Sequence, residues 1–397
     1  MTTPWPAVAL GDLTERVTTR DPGESGANEF TYIDIGSVDQ ANKAITGDVT
    51  MPVTEAPSRA RQVVAGGDVL VSTVRPNLNA VAQVPPRLGG ATASTGFAVL
   101  RPRPGRLDSR YLFHWVRHPS FVAEMVRLAT GANYPAVTDR TVKASLITVP
   151  PVEEQRRIAA ILDAADELRA KRRRALALLD TLTESVFLDM FGDPDAPWPI
   201  VRVDSLAADV HAIRTGPFGS QLLHSEFVSD GVAVLGIDNA VHDRFAWGRP
   251  RFITDEKFAQ LRRYQVRPGD VLVTIMATCG RVAIVPDDIP PAINTKHLCC
   301  ITLDRTRCLP AYLWAAFRFH PGLRRQLGAT ARGAVMPGLN MGLIKGATLP
   351  LPSIESQGHF ADCLGKLESA TASQSEHARQ LEVLFASLQH CAFRGEL

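Results

Sequence analysis

A 397-residue chain that repeats itself has few folds open to it. Here Gly67-Asp68-Val69-Leu70 returns as Gly269-Asp270-Val271-Leu272, 202 positions later at 269 against 67. The same plan carries His118-Pro119 to His320-Pro321, Gly131-Ala132 to Gly333-Ala334 and Pro135 to Pro337, and roughly Tyr111-Leu112 to Tyr312-Leu313. Pro150, Glu153 and Gln155 return as Pro352, Glu355 and Gln357, and Trp5-Pro6 opens the first copy as Trp198-Pro199 opens the second. A repeat of this length is a whole domain used twice, so the chain is a tandem duplication.

Each copy ends in a helix. Pro150 and Pro151 stop the preceding segment, Glu153 and Glu154 suit the positive end of a helix dipole, and Gly192-Asp193-Pro194 terminates it. Small or apolar residues recur at Ile158, Ile161, Ala165, Leu168, Ala175, Leu179, Leu182 and Val186, with Arg172 at the one missing step. Steps of three and four make a heptad seam that wants a helical partner. The repeat supplies one at Phe360, Cys363, Leu367, Ala370, Gln374, His377, Leu381, Leu384 and Leu388. Two copies related by a pseudo-two-fold axis pair these helices antiparallel. A helix from 153 to 191 is roughly 58 Å long at 1.5 Å per residue, a ruler between two similar modules. A single amphipathic core helix is the alternative. His377 reads as a seam residue, since no second metal-type residue accompanies it.

The fold class is α+β: a globular β-rich domain followed by a long helix, twice, the helices forming an antiparallel coiled coil. The boundaries are 1–150, 151–193, 194–352 and 353–397. Strands are expected at 68–74, 96–102 and 144–150, and a helix over 108–131, capped at Asp108 or Ser109 and divided near His118-Pro119.

The scaffold repeats while the loops diverge. Residues 74–81 answer 276–283, 90–97 answer 292–299, and 131–143 answer 333–345. The first set carries Arg75, Asn77, Asn79, Thr95, Asn133, Tyr134 and Arg140; the second carries Thr278, Arg281, Asn294, Lys296, His297, Arg332 and Asn340. Arg, Lys and Asn are the side chains that read base edges and grip phosphates. These residues are therefore the candidate DNA contacts, against the plainer reading of polar loops. Asp287-Asp288 lies in a Pro-rich turn and reads as structural.

Hydrophobic residues at 45% and charged residues at 21% exclude long disorder. A net charge of +2 means that any basic surface is local. The six cysteines form no CxxC pair, so neither zinc nor a disulfide framework is expected, and a reduced cytoplasmic setting fits. No signal peptide and no membrane span is read. There is no GxxxxGK[ST], no [ND]PP[YF] and no Gly-rich strand-to-helix turn. The chain is thus expected to hold no cofactor and do no chemistry of its own.

The stretch VPPVEEQRRIAAILDAADELRAKRRR, with Pro150, Pro151, Glu154, Gln155, Arg157, Ile158 and Ala159, and Phe191-Gly192-Asp193-Pro194 after it, resembles the DNA-specificity (S) subunit of type I restriction-modification systems. The second copy keeps Pro350, Pro352, Glu355 and Gln357 but lacks the Arg-Ile-Ala run. The resemblance implies a non-catalytic subunit whose two target recognition domains each read one half of a bipartite, asymmetric DNA site, with the helices setting the spacing. It implies double-stranded DNA and two adenine-N6 methyltransferase subunits as partners, S-adenosylmethionine bound by the methyltransferase, and restriction subunits able to join. The competing reading is a coiled-coil protein-interaction scaffold without DNA binding.

Overall fold

The computed structural model describes residues 5–328, 339 and 341–397, which fall into two compact units. Unit 1 comprises 1–174 with 375–397, and unit 2 comprises 175–374. Each unit therefore owns one globular domain, a segment of the midpoint helix and a segment of the C-terminal helix.

Unit 1 holds strands β1 (Thr14–Glu15), β2 (Glu29–Ile33), β3 (Val49–Pro52), β4 (Ala60–Val63), β5 (Val69–Ser72), β6 (Val81–Gln83), β7 (Thr92–Ser94) and β8 (Phe97–Pro102). One sheet runs β1-β8-β5-β6 and the other β3-β2-β7-β4, with β2 and β7 parallel. Helices α1 (Ser109–Trp115) and α2 (Pro119–Leu128) follow, and then α3 (Val152–Phe191), which continues into unit 2. Unit 2 repeats the plan with β9 (Ile213–Thr215), β10 (Val232–Leu235), β11 (Phe252–Ile253), β12 (Val271–Thr274), β13 (Val282–Ile284), β14 (Ala292–Asn294) and β15 (Leu298–Ile301). Its sheets run β9-β15-β12-β13 and β11-β10-β14, with β10 and β14 parallel. Helices α4 (Pro310–Phe319), α5 (Pro321–Gly328) and α6 (Ile354–Arg394) complete it, α6 ending in unit 1.

The central strands explain the repeated Gly-Asp-Val-Leu. All four residues of β5 and of β12 are buried, because each strand separates two cores. Val69 and Val71 join the core that carries the helices, while Leu70 faces the other sheet. Val271, Val273 and Leu272 divide the same way. The glycine before each strand is left-handed, Gly67 at φ 91° and Gly269 at φ 75°, a conformation a side chain resists. Asp68 is buried and accepts from Ala65 N at 2.8 Å and from Arg101 Nη2 at 2.8 Å. Asp270 likewise accepts from Arg267 N at 2.9 Å and from Arg214 Nη2 at 3.1 Å. A buried carboxylate is tolerable only with such partners.

The expected 108–131 helix is two helices. Asp108 caps α1, accepting from Arg110 N at 2.9 Å and Tyr111 N at 3.0 Å. His118 caps α2, its Nδ1 accepting from Ser120 N at 3.2 Å, and Pro119 forbids continuation. The second ends at Leu128, short of Gly131. The strand expected at 144–150 is confined to Leu146–Thr148, paired with Ala7–Ala9.

Both long helices are locked at their first turn by a buried glutamine. Gln155 Oε1 accepts from Asp108 N at 2.8 Å while its Nε2 donates to Arg106 O at 3.0 Å and Pro150 O at 2.8 Å. Gln357 does the same with Leu309 N at 2.8 Å, Arg307 O at 3.1 Å and Pro352 O at 2.9 Å. The repeated Pro-x-x-Glu-x-Gln spacing therefore has a mechanical meaning: it welds helix to domain.

Within each unit the two helix segments run antiparallel. In unit 1, Arg169 pairs with Glu382 and lies 4.1 Å over the Phe385 ring, while Arg157 Nη2 donates to Leu397 O at 2.9 Å. In unit 2, Phe187 and Phe191 meet Phe360 with ring centroids 5.6 and 5.7 Å apart. The seam differs from the heptad reading. Leu168, Leu182, Cys363, Ala370, His377 and Leu384 are exposed, and Leu162, Phe187, Leu364 and Phe385 are buried in their stead. The helices bury their ends against the globular cores as well as against each other, so the buried stripe follows α1, α2 and α4 rather than a strict seven-residue repeat.

Candidate nucleic-acid interface

The divergent loops of unit 1 converge on one residue. Thr73, just past β5, donates its N–H to Gly96 O at 2.9 Å and accepts Val137 N–H at 2.8 Å. Residues 73–79, 94–96 and 130–137 are thereby held side by side. Arg75 N donates to Pro135 O at 2.7 Å, Val74 bridges Ala136, and the Arg75 guanidinium lies 4.7 Å over the Tyr134 ring. Arg75, Asn77, Thr95, Asn133 and Tyr134 are all exposed here, Tyr134 at 69%. An exposed tyrosine with a guanidinium on its face is a ready surface for a base or sugar.

Unit 2 uses the same hub 202 positions on. Ile275 N–H donates to His297 O at 2.9 Å and its carbonyl accepts Leu339 N–H at 2.9 Å. The loop 276–281, with Thr278 and Arg281, and the turn 295–297, with Lys296 and His297, are joined through Ile275 as in unit 1. The loop is one residue shorter: Ser72 N donates to Ala80 O, but Thr274 N donates to Arg281 O, so Arg281 takes the place of Ala80 rather than Asn79. The fully buried Thr274 closes the loop, accepting Arg281 N at 2.9 Å and donating to Thr278 O. Burial, with the cations of Lys296 and Arg251, pushes the His297 imidazole pKa down, so the ring is neutral and able to accept or donate.

Backbone strain marks the same places. Five non-glycine residues adopt left-handed backbone among the described residues: Lys43 at φ 53°, Arg75 at 50°, Asn79 at 46°, Asp243 at 56° and Ala277 at 59°. Arg75 and Ala277 are repeat equivalents in the divergent loops, as are Asn79 and Gly280, the latter at φ 83°. Lys43 and Asp243 sit at loop tips that touch those loops. Lys43 Nζ donates to Asn79 O at 2.5 Å, and Asp243 accepts from Arg281 Nη1 at 2.7 Å and Val282 N at 3.1 Å. Left-handed non-glycine residues cost of order 1–3 kcal/mol each and collect where function demands a fixed shape. Burial, with the Arg117 charge, lowers the Lys43 ammonium pKa to about 8.

Some sequence candidates have other work. Asn294 is fully buried, its Nδ2 donating to Leu298 O at 3.0 Å, so it shapes the turn and does not face solvent. Asn79 is half-buried and its Nδ2 donates to Val116 O at 3.0 Å, which anchors the loop to the end of α1. Arg140 is exposed on the separate short helix Asp139–Ala144. Arg332 and Asn340 lie outside the described residues. Sequence reasoning missed Lys43, Arg59 and Asp243. Arg59 is exposed and its carbonyl accepts Thr95 N–H at 2.9 Å, placing it at the edge of the unit 1 cluster. None of the three stands in a segment where the copies align, so no local pattern announces them.

Among the described residues no group of three or more His, Cys, Asp or Glu could hold a metal ion. Cys299 and Cys300 are buried in β15, and burial pushes the Cys299 thiol up to about 12, which leaves it inert. Among the described residues no helix is long and apolar enough to cross a membrane.

Comparison with known proteins bears on the fold. Residues 10–177 match the family model of the type I restriction modification DNA specificity domain. The MjaVIII type I restriction enzyme specificity subunit of Methanocaldococcus jannaschii is 20% identical over 311 residues, covering 73% of this chain and 71% of that protein. The EcoBI specificity subunit of Escherichia coli is 22% identical over 320 residues, 74% of this chain and 66% of that protein. A solved chain from work on complex assembly and conformational transition of a type I R-M system is 25% identical, with a TM-score of 0.65 over 100% of both chains. The type I restriction-modification S subunit from M. genitalium shares the fold, at 12% identity and a TM-score of 0.59 over 98% of this chain and 96% of that one.

Proposed function

Because this chain belongs to the DNA-specificity subunits of type I restriction-modification systems, we propose that it is the sequence-reading, non-catalytic member of such a complex. Each globular unit reads one half of a bipartite, asymmetric site in double-stranded DNA, and the paired helices set the spacing. The observation that carries this reading is the gathering of the five left-handed non-glycine residues found among the described residues at the two equivalent loop clusters and the tips that brace them. A scaffold without a ligand has no need to hold polar loops in costly conformations twice over. The two clusters share a backbone hub yet carry different side chains, Arg75 with Tyr134 in one and Arg281 with Lys296 and His297 in the other. Two unlike readers favour an asymmetric target.

The chain's part is to select and hold DNA. Phosphate contacts from arginine and lysine fix register, and base-edge contacts specify sequence. The chemistry on adenine belongs to two methyltransferase subunits, which bind S-adenosylmethionine and take the base out of the stack. Restriction subunits join where the system cleaves. Such a complex works on the genome, in the cytoplasm.

The test is co-expression with the neighbouring methyltransferase and long-read mapping of N6-methyladenine in host DNA. A single bipartite, asymmetric motif that vanishes on deletion of this gene is the expected result. A palindromic motif refutes the two-reader model. A stable complex with no change in methylation on deletion refutes DNA reading and leaves the protein-interaction scaffold.

A further inference from the structure

We propose that Arg281 is the guanine-reading side chain of unit 2 and that Asp243 is the positioning residue that aims it, an inference that rests on the DNA-reading function above. Arg281 stands at the end of the loop 276–281 with 53% of its side chain exposed, while the Asp243 side chain is only 12% exposed. Arg281 Nη1 donates to Asp243 Oδ2 at 2.7 Å. The carboxylate cannot swing with it. Its Oδ1 accepts Val282 N–H at 3.1 Å, and the Asp243 backbone carbonyl accepts Trp314 Nε1–H at 2.9 Å. Arg318 approaches the same Oδ2 at 3.8 Å, its own guanidinium stacked 4.7 Å over Trp314 and 4.6 Å over Phe319. Asp243 is thus a charged, fixed post in the wall of unit 2.

The chemistry separates base reading from phosphate binding. A guanidinium offers five N–H donors in a planar fork. Asp243 occupies one terminal nitrogen of Arg281, and the Nε–Nη2 edge has no partner among the described residues. Two parallel donors on a held plane match guanine N7 and O6 in the major groove. The carboxylate cancels the net charge of the pair, which weakens attraction for a phosphate. It also fixes the plane of the fork, which is what base recognition needs. The guanidinium keeps direction and gives up charge.

Unit 1 shows that the brace, though not the reader, is common to both copies. Its left-handed tip residue is Lys43, which holds the equivalent loop by donating to Asn79 O at 2.5 Å. The Asn79 amide is spent on Val116 O. Opposite charges therefore brace the two loops, and only the carboxylate grips an exposed side chain.

The experiment is N6-methyladenine mapping with the complex of the full chain and its methyltransferase, comparing wild type with R281K, D243N and R75A. Wild type should show at least one guanine in the half-site that R75A leaves untouched. R281K keeps the charge and loses the fork, and should relax that guanine alone, by about ten- to a hundred-fold in preference. D243N should relax the same position by less. Guanine preference unchanged in R281K overturns the proposal, as does a half-site without guanine. A uniform loss across all positions in D243N, with a lowered melting temperature, assigns Asp243 a merely structural role and overturns its part. R281K alters an exposed side chain and keeps the reader testable if D243N fails to fold. A wild type without any defined motif overturns the DNA-reading function itself, before the variants are compared.

Discussion

Replacing Gln155 with alanine should loosen the weld between α3 and unit 1 and little else. The side chain is fully buried and makes three hydrogen bonds, to Asp108 N at 2.8 Å, Arg106 O at 3.0 Å and Pro150 O at 2.8 Å. A hydrogen bond is worth about 1 kcal/mol net, and a buried group left unsatisfied costs about 1–3 kcal/mol. Three bonds lost together give about 3 kcal/mol, more if no water enters the gap. That is a large part of the roughly 5–15 kcal/mol that holds a domain folded. Urea denaturation of the full chain should show the loss, and hydrogen exchange should localise it to 106–108 and the first turns of α3. Gln357→Ala should do the same to unit 2, because Gln357 makes the matching three bonds with Leu309, Arg307 and Pro352. The two glutamines share no partner, so the double variant should be additive. Gln155→Glu keeps the acceptor but points a carboxylate at two carbonyl oxygens, and should cost more than alanine at pH 8. A loss below about 0.5 kcal/mol, the scale of a neutral surface change, or faster exchange in the other unit, would refute the weld.

Arg75→Ala and Tyr134→Ala should weaken recognition of one half-site, and Lys296→Ala that of the other with a salt slope reduced by about 1; mapped motifs and salt titrations check both, and equal loss at both half-sites would contradict two readers. Removing seven residues from each long helix shortens it by about 10 Å, so the unread spacer in the methylated motif should shrink by about three base pairs, at 3.4 Å each; an unchanged spacer sinks the ruler. His118 stacks on Trp115 with centroids 5.5 Å apart, and burial, with repulsion from His390, pushes its imidazole down to about 4. A depressed folded pKa means that folding favours the neutral ring, so this share of stability is present above about 6.5, the unperturbed value, and is lost as pH falls through about 4. His118→Gln should flatten that part of the pH–stability curve of unit 1, and an unchanged curve would show that His118 does not titrate there.

Much of this protein was legible because the relevant code is local. Gly67-Asp68 and Gly269-Asp270 mark a left-handed turn and a buried carboxylate before a buried strand. His118-Pro119 divides a helix because a proline cannot donate to it. Pro150 and Pro151 with Glu153 and Glu154 mark a helix start, because proline stops the preceding segment and acidic residues suit the positive end of the dipole. The seam was harder to read. Leu168 and Leu384 fit the heptad but are exposed, since which stripe is buried depends on what packs at each end. Asn294 has the chemistry of a base reader, yet its amide is consumed four residues away by Leu298.

By itself, then, the sequence determined the duplication, the two long helices and the loops in which the copies differ, all of them matters of spacing along the chain. The tertiary structure alone decided which loop side chains are exposed. Thr73 and Ile275 each join three segments distant in sequence. Lys43 and Asp243 reach across more than thirty residues to brace Asn79 and Arg281. Positive φ at lysine, arginine and alanine leaves no mark in the residue type. It is imposed by contacts that exist only once the chain has folded, and the shape of both loop clusters is made there.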